Sequence, residues 1–316
     1  MNYCTEHIER GAETKGIALP YREKGTGYAM ILRIFQKGFN YSQDGPGNRL
    51  VYHLQGCNMH CPWCANPEGM TFEPPRMVTG KLYDEACPFG AIKGGQLDRR
   101  ICVGCEGRGC EASRRCGGIE FQMKEVLVEE ILREAKACHP MFFDGGGVTF
   151  TGGEPTMQYA SLHWLLPRLQ QEGIHTAMET NGSHPLFENL LPSIDYLMMD
   201  YKHPDDEEHK RVTGVGSAMT VRNIRLAVER GREPHVRIPF IHGFNDTPEA
   251  IDGFRAFFSS LDGPFTVEVL RYHEYGKDKW EQCGLPYLMH DAFVDDEAVR
   301  TLEAVLRDAS VQVVHT

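Results

Sequence analysis

The sequence of 316 residues predicts an α/β fold, a partial (βα)6 barrel of the TIM-like type with a small cysteine-rich insertion. Short apolar runs rich in β-forming residues predict the strands. They are Leu50–Leu54, Val148–Thr151, Thr176–Glu179, Tyr196–Asp200, Val236–Pro239 and Val267–Arg271. Strands that alternate with helices form parallel units, and their right-handed crossovers keep winding in one direction. We therefore expect a barrel or an open part of one.

Helical patterns fall between most of these runs. In each, apolar residues recur at spacings of three and four, which places them on one face of a helix. The segments are Val126–Ala137, Leu162–Leu169, Thr220–Arg230, Pro248–Ser260 and Glu297–Asp308. The alternation stops between residues 74 and 118, which hold two adjacent prolines, many glycines and five cysteines. We expect an N-terminal extension over 1–28, a barrel core over 29–73 and 119–316, and an insertion over 74–118.

The composition excludes several classes of protein. The sequence contains no run of about 18 apolar residues, so we expect no membrane span. The polar start MNYCTEHIERGAETKG lacks the features of a secretory signal. The net charge of −11 argues against a nucleic-acid-binding surface. Seven of the 11 cysteines lie between Cys57 and Cys110. In a chain without an export signal this clustering indicates metal ligation rather than disulfides, and we expect a cytoplasmic protein.

Three of the cysteines share one short loop, CNMHCPWC, at positions Cys57, Cys61 and Cys64. Three thiolates can hold three irons of a cubane 4Fe-4S cluster, which leaves the fourth iron free to bind a substrate. Two other interpretations fit the spacing. One is a zinc site completed by His53 or His60, and the other is a buried trio of structural cysteines.

Polar groups follow the predicted strands at their C-terminal ends, which form the active face of a barrel. The first strand leads into the cysteine loop, the second ends in TGGEP, the third in ETNG and the fourth in MDYK. The fifth strand contributes Arg237, and the sixth leads to His273. Each strand end therefore offers polar groups to one shared face.

The cysteine loop after the first strand and GGE after the second resemble the radical S-adenosylmethionine (SAM) enzymes. A longer series of motifs narrows the resemblance to the glycyl radical enzyme activating enzymes, over about residues 30–280. In order, the motifs are DGPGNR, LQGCNMHCPWCANPE, GGGVTFTGGEP, ETNG, MDYKH, HKRVTGV, RIPFIHGFND and YHEYGKDKW.

This resemblance implies the activity. One electron from a reduced cluster cleaves SAM to methionine and a 5′-deoxyadenosyl radical, which removes a hydrogen from a glycine of a partner glycyl radical enzyme. A flavodoxin or ferredoxin is the implied electron donor. The alternative is a radical SAM enzyme that acts on a small molecule or peptide, with an auxiliary cluster binding the substrate. A third interpretation, a ferredoxin-like electron carrier or zinc protein, leaves GGE and the strand-end groups unexplained.

The resemblance also implies roles for single residues. Cys57, Cys61 and Cys64 would ligate the SAM-binding 4Fe-4S cluster. The SAM contacts would be Trp63 at the adenine, Gly152, Gly153 and Glu154 at the methionyl ammonium, Asp200 and Lys202, and His273 near the ribose or adenine. Glu179 and Asp200, with the Met198 carbonyl, would frame a monovalent cation site. Trp63 also fits as a plain core aromatic, and His273 as a loop histidine.

Two positions depart from the family pattern. Ala65 follows the third cysteine, where relatives often have histidine, and Glu179 stands where some have aspartate. Neither change removes a cluster ligand. The Glu179 departure affects the cation site.

The insertion carries a second set of cysteines. Cys102, Cys105 and Cys110 form CxxCxxxxC, and CPFGAI at Cys87 resembles the tail of a bacterial ferredoxin motif. We assign these four to one auxiliary 4Fe-4S cluster in a ferredoxin-like insert, with Cys116 as an alternative fourth ligand in place of Cys87. Four cysteines would suit zinc equally well. The cluster would relay electrons to the SAM-bound cluster or help to dock the partner.

Overall fold

The computed structural model describes residues 21–23, 28–40, 43–103, 105 and 118–315. The strands in this part of the chain are β1 (Tyr21–Glu23), β2 (Tyr28–Asn40), β3 (Arg49–Leu54), β4 (Met77–Val78), β5 (Ile92–Lys93), β6 (Gln96–Leu97), β7 (Ile119–Glu120), β8 (Lys124–Leu127), β9 (Gly147–Gly152), β10 (His175–Thr180), β11 (Tyr196–Asp200), β12 (His235–Phe240) and β13 (Thr266–Arg271). The α-helices are α1 (Arg99–Val103), α2 (Val128–Ala137), α3 (Tyr159–Gln171), α4 (Asp206–Thr213), α5 (Ala218–Glu229), α6 (Pro248–Ser259), α7 (Lys277–Cys283) and α8 (Asp296–Asp308).

Six parallel strands form the body of the main sheet, in the order β3-β9-β10-β11-β12-β13. They follow one another in chain order, so each crossover winds the same way and the sheet curves. Three antiparallel strands extend it at one edge, where β2 pairs with β3, β1 and β8. The predicted partial (βα)6 barrel is confirmed.

Two details differ from the sequence prediction. The helix expected from Val126 begins at Val128, because Lys124–Leu127 pairs with β2 as strand β8. Part of the predicted N-terminal extension, Tyr21–Glu23, forms strand β1 on the outer side of β2. No α-helix lies between β10 and β11, where two 3-10 turns make the connection.

The core fills the space between the outer face of the sheet and the helices. Alternate residues of β3, namely Leu50, Tyr52 and Leu54, belong to it together with apolar residues of the helices. Tyr52 stacks on Phe150 of β9 with ring centroids 5.7 Å apart. The period of two along a strand sends Arg49, Val51 and His53 to the opposite face, toward the barrel interior.

Arg49, the last residue of DGPGNR, anchors the start of the sheet. Its side chain is 0 % exposed. Its guanidinium donates to the Thr149 hydroxyl at 2.7 Å, to the Pro46 carbonyl at 3.0 Å and to the Val148 carbonyl at 2.9 Å. Burial lowers the pKa of Arg49 to about 10, so it stays charged at neutral pH. The arginine of this motif therefore holds the loop before β3 against the start of β9.

The described part of the cysteine-rich segment has its own small core, formed by Leu82, Ala86 and Ile92. Strand β4 pairs with β7, so the two ends of the segment meet, and β5 with β6 forms a hairpin. The boundaries of the insertion at 74 and 118 stay a prediction. Within the described ranges, no helix has the length and apolar character needed to cross a bilayer.

Candidate active site

A cavity opens at the C-terminal ends of the parallel strands. Every barrel residue that the sequence analysis selected for SAM or cluster binding, except Glu154, lines it: Cys57, Cys61, Trp63, Cys64, Gly152, Gly153, Glu179, Asp200, Lys202 and His273. These residues come from loops and strand ends spread over most of the barrel sequence. The structure therefore brings the three-cysteine loop and the strand-end polar groups together at one site.

The cysteine loop is clamped by backbone hydrogen bonds at its base. The Gly56 amide donates to the Gly69 carbonyl at 2.8 Å, and the Cys57 amide donates to the Met70 carbonyl at 3.0 Å. Gly56 has a φ of +97°, and a Cβ there would lie 2.7 Å from the Phe72 ring. A glycine before the first cysteine is thus required by both the backbone conformation and the space.

The three thiols lie in surroundings that disfavour their charged form. Burial raises the pKa values of Cys57 and Cys61, and it raises that of Cys64 to about 12. The folded chain alone therefore keeps these groups protonated at neutral pH. Metal ligation requires thiolates, so occupation of this loop by a cationic centre is coupled to proton release.

The two histidines considered as zinc ligands lie apart from the three thiols. His53 packs against the Phe35 ring, with centroids 5.6 Å apart, and His60 is exposed. Neither histidine is among the residues that line the cavity with Cys57, Cys61 and Cys64. The structure therefore offers neither as the fourth ligand that a closed zinc site needs.

The two glycines of GGE allow strand β9 to end against the base of the cysteine loop. A Cβ on Gly152 would lie 2.5 Å from the Leu54 nitrogen, and one on Gly153 would lie 2.4 Å from the Gly56 carbonyl oxygen. The Gly153 amide donates to the Leu54 carbonyl at 2.8 Å. Any side chain at either position would push the strand end away from the loop.

Glu154 lies directly behind the cavity wall and is 1 % exposed. Its carboxylate accepts hydrogen bonds from the Thr180 hydroxyl and the Asn181 amide, both at 2.7 Å, and from the Thr156 amide at 3.0 Å. Burial raises its pKa, and these hydrogen bonds oppose that shift. Glu154 therefore joins the ends of β9 and β10, while its predicted contact with the SAM ammonium stays a prediction.

Asp200 and Lys202 form an ion pair at the end of β11, with Nζ 2.5 Å from Oδ2. Lys202 is 7 % exposed. Burial works against its charge, but the Asp200 carboxylate outweighs that effect and raises the pKa of Lys202. Lys202 therefore places a permanent positive charge beside the cysteine loop.

Glu179 takes part in an ion network inside the barrel. Its carboxylate accepts from the Thr151 hydroxyl at 2.6 Å and from Arg237 Nη1 at 3.0 Å. Arg237 also donates to the Gln43 carbonyl at 2.6 Å, and its Nε lies 3.2 Å from Glu268 Oε2. Burial alone would lower the pKa of Arg237, but the surrounding carboxylates raise it. The sequence placed Arg237 at the shared face and did not reveal its link to Glu179.

Trp63 and His273 are the two ring-bearing residues among the predicted SAM contacts that line the cavity. The Trp63 ring packs on Phe244 with centroids 4.9 Å apart, and the His273 ring stacks on Tyr275 at 4.3 Å. Burial lowers the pKa of His273, so its imidazole is neutral at pH 7. A cavity lined by aromatic rings of this kind suits a planar base such as adenine.

The three described cysteines of the insertion line a second, smaller pocket. Cys87, Cys102 and Cys105 line it together with Arg76 and Phe89. The Cys105 amide donates to the Cys102 carbonyl at 3.0 Å, and the Ala91 amide donates to the Cys87 sulfur at 3.3 Å. The other two predicted ligands, Cys110 and Cys116, lie outside the described residues.

Comparison with known proteins identifies the family. Residues 51–254 match the family model of the radical SAM superfamily. A 4-hydroxyphenylacetate decarboxylase activating enzyme of Clostridioides difficile is 32% identical over 85% of this chain and 90% of its own length. An isethionate sulfite-lyase activating enzyme of Nitratidesulfovibrio vulgaris is 33% identical over 83% of this chain and 91% of its own.

A solved structure shares the fold. The crystal structure of a radical SAM methyltransferase from Sphaerobacter thermophilus is 13% identical, covers 87% of this chain and 67% of its own, and superposes with a TM-score of 0.52. This structure shows only the shared fold, whereas the family match and the two relatives identify the family. The chain belongs to the radical SAM superfamily and, within it, to the glycyl radical enzyme activating enzymes.

Proposed function

We propose that this chain activates a partner glycyl radical enzyme with SAM bound at a 4Fe-4S cluster on Cys57, Cys61 and Cys64. The observation that carries the proposal is the cavity in which these thiols face the strand-end groups. When bound, the cluster would deliver one electron to SAM and split it into methionine and a 5′-deoxyadenosyl radical. Hydrogen transfer from the partner's glycine then leaves 5′-deoxyadenosine and a glycyl radical. A flavodoxin or ferredoxin would supply the electron.

The chain's own residues would hold SAM by charge and shape. The methionyl end of SAM carries an ammonium and a carboxylate. The Asp200–Lys202 pair offers both complementary charges beside the cysteine loop. Gly152 and Gly153, which line the same cavity, would contact the methionyl ammonium through their backbone. Trp63 would pack on the adenine, and His273 would contact the ribose or adenine.

The class of partner is open to a direct test. The curated relatives are named as activating enzymes of arylacetate decarboxylases and of sulfur-compound lyases, at 32% and 33% identity. The experiment is anaerobic incubation of the reconstituted protein with SAM, a reductant and one candidate partner of each class. We expect a glycyl radical doublet in the electron paramagnetic resonance (EPR) spectrum with one of them. Turnover of a small molecule or peptide, with no doublet from either class, would overturn the proposal.

We also propose one auxiliary 4Fe-4S cluster, held by Cys87, Cys102, Cys105 and Cys110, with Cys116 as the alternative to Cys87. Three of these thiols already share one pocket in the described part of the insertion. Ile101 and Phe89 line the same pocket and are exposed to solvent, so the site lies close to the surface. A surface-near cluster suits electron entry or partner docking.

Cys105→Ala is expected to remove the auxiliary cluster and to spare the SAM-binding one. Iron should fall from about eight to about four atoms per chain, with sulfide falling in parallel. SAM cleavage with a chemical reductant should continue, while activation of the partner should weaken. Zinc without sulfide in the wild-type protein would contradict an iron–sulfur insert, and full activation by the variant would contradict a functional role for it.

A monovalent cation is the remaining cofactor that the resemblance implies. Glu179 and Asp200, with the Met198 carbonyl, would frame it. Each carboxylate already has a cationic side chain as its partner, Arg237 for Glu179 and Lys202 for Asp200. These residues therefore fit an additional ion poorly.

We expect SAM binding to be unchanged when tetramethylammonium replaces potassium at constant ionic strength. The reason is that Arg237 already supplies the positive charge next to Glu179. The Arg237→Gln variant, which lacks that charge, should gain a dependence on potassium or sodium. Equilibrium binding of SAM across a cation series measures both, and a potassium requirement in the wild-type protein would restore the cation to the site.

A further inference from the structure

Helix α7 docks against the part of the cysteine loop that follows the third cysteine. The indole of Trp280 is 8 % exposed, and its Nε1 donates to the Cys64 carbonyl at 2.9 Å. The neighbouring Lys279 donates from Nζ to Asn66 Oδ1 at 2.9 Å and to Glu68 Oε1 at 2.6 Å. Helix α7 thus contacts three nearby residues of the loop, Cys64, Asn66 and Glu68, and the first of them is the predicted cluster ligand.

The contact with Glu68 favours this docked position strongly. Glu68 is 3 % exposed, and its second oxygen, Oε2, has no hydrogen-bond partner among the described residues. Lys279 is the cation that compensates its charge. Leaving a buried carboxylate without its counter-charge is unfavourable, so displacement of α7 from the loop is opposed.

The residue before α7 lies so close to the loop that only glycine fits there. A Cβ on Gly276 would lie 2.5 Å from the Cys64 carbonyl oxygen and 2.8 Å from the Ala65 Cα. His273, three residues earlier, lines the cavity. The segment from His273 to Trp280 therefore contacts both the cavity and the backbone of the third cysteine.

The other end of α7 is tied to the insertion. Arg99 donates from Nη2 to the Gln282 carbonyl at 2.7 Å and from Nη1 to the Arg76 carbonyl at 2.6 Å. Arg76 in turn donates from Nη2 to the Cys105 carbonyl at 3.0 Å. A continuous series of hydrogen bonds through α7 thus connects Cys105 of the insertion with Cys64 of the barrel loop.

We propose that α7 positions the third cysteine, with Trp280 as the positioning residue, and that Arg99 couples this positioning to the insertion. The Nε1 hydrogen bond fixes the peptide plane of Cys64 and with it the direction in which the thiol points. The inference rests on the proposed function for its consequence, which is the geometry of the SAM-binding cluster. It gives the insertion a structural role beside electron relay or partner docking.

The test compares Trp280→Phe, Lys279→Met and Lys279→Arg with Trp164→Phe as the matched control. Trp164 lies on α3 and packs on Arg168, outside the residues that line the cavity. Trp280→Phe and Lys279→Met should weaken SAM binding by about tenfold, as loss of an orienting contact typically does, and alter the EPR change that SAM causes, at full iron content. Lys279→Arg keeps the ion pair and should behave as wild type, as should Trp164→Phe.

A second readout does not depend on SAM. In hydrogen–deuterium exchange of the holoenzyme, Trp280→Phe and Arg99→Met should each speed exchange of residues 61–69. The double variant Arg99→Met/Trp280→Phe should add little beyond the larger single effect, because both changes release the same contact.

Two outcomes overturn parts of the inference, and a third separates it from the proposed function. Wild-type exchange and SAM affinity in both Trp280→Phe and Lys279→Met would refute the positioning role. Additive effects of the Arg99 and Trp280 changes would refute the coupling to the insertion. If the wild-type protein itself shows no response to SAM, the proposed function fails instead, and the exchange data still decide whether α7 holds the loop.

Discussion

Cys61→Ala is expected to reduce SAM cleavage to the background rate and to remove one cluster's iron and sulfide from the protein. Cys61 is buried and lines the cavity between the other two cysteines. A loop that keeps two thiolates cannot hold a cubane in the position that leaves its fourth iron open. Formation of 5′-deoxyadenosine under anaerobic reducing conditions measures the loss of activity, and iron and sulfide analysis measures the loss of the cluster.

Cys138→Ala is the matched control for this variant. Cys138 directly follows helix α2 and lines neither of the two pockets described above. Its replacement should leave the iron content and SAM cleavage as in the wild type. Retained SAM cleavage and full iron content in Cys61→Ala would show that the loop is not the SAM-binding centre.

Lys202→Met is expected to weaken SAM binding by about tenfold or more, because a desolvated charge that faces the ligand is lost. It should also lower the free energy of unfolding by roughly 2 to 3 kcal/mol, since the Asp200 carboxylate keeps its charge without a partner. This loss is small for a broken buried ion pair because the Asp200 side chain is 20% exposed, so water partly solvates the remaining charge. SAM titration and thermal denaturation measure the two effects separately.

The double variant Asp200→Asn/Lys202→Met separates stability from function. It removes both charges, so it should recover most of the lost stability while SAM binding stays weak. Recovery of SAM binding as well would mean that the ion pair serves the fold alone. If the free energy of unfolding of the single Lys202→Met variant is unchanged, water around Asp200 compensates for the loss of the lysine.

Local sequence patterns predicted the barrel and its active face because both depend on short-range features. Each parallel strand is an apolar run, and each functional group stands at the end of such a run. Local sequence patterns did not determine the boundary between β8 and α2. Val126 fits both a helical spacing and a strand that pairs with β2, and pairing with a distant strand decided between them.

Contacts between distant segments were beyond the sequence for a physical reason. Trp280 and Cys64 are separated by 216 positions, and their hydrogen bond depends on where the fold places α7. The same holds for Arg237 and Glu179, which lie 58 positions apart on different strands. A motif such as YHEYGKDKW indicates that a segment matters, but the partner of its tryptophan follows from the three-dimensional arrangement.

Glu154 illustrates a residue whose motif was recognised and whose surroundings were not. The sequence predicts a carboxylate that receives the SAM ammonium. In the structure three neighbouring residues, Thr156, Thr180 and Asn181, already donate to it through four groups. These bonds hold the strand ends in place around the cavity, and Glu154 would need a free lone pair to meet the ammonium as well.

The most direct measurement is the EPR spectrum of the reduced, reconstituted Cys105→Ala variant with and without SAM, since this variant should carry the barrel cluster alone. A cubane signal whose g-values shift when SAM is added is the expected result, because the cosubstrate occupies the iron that the chain's thiolates leave open. A protein that assembles no cubane, or one whose signal stays the same at saturating SAM, would contradict the account.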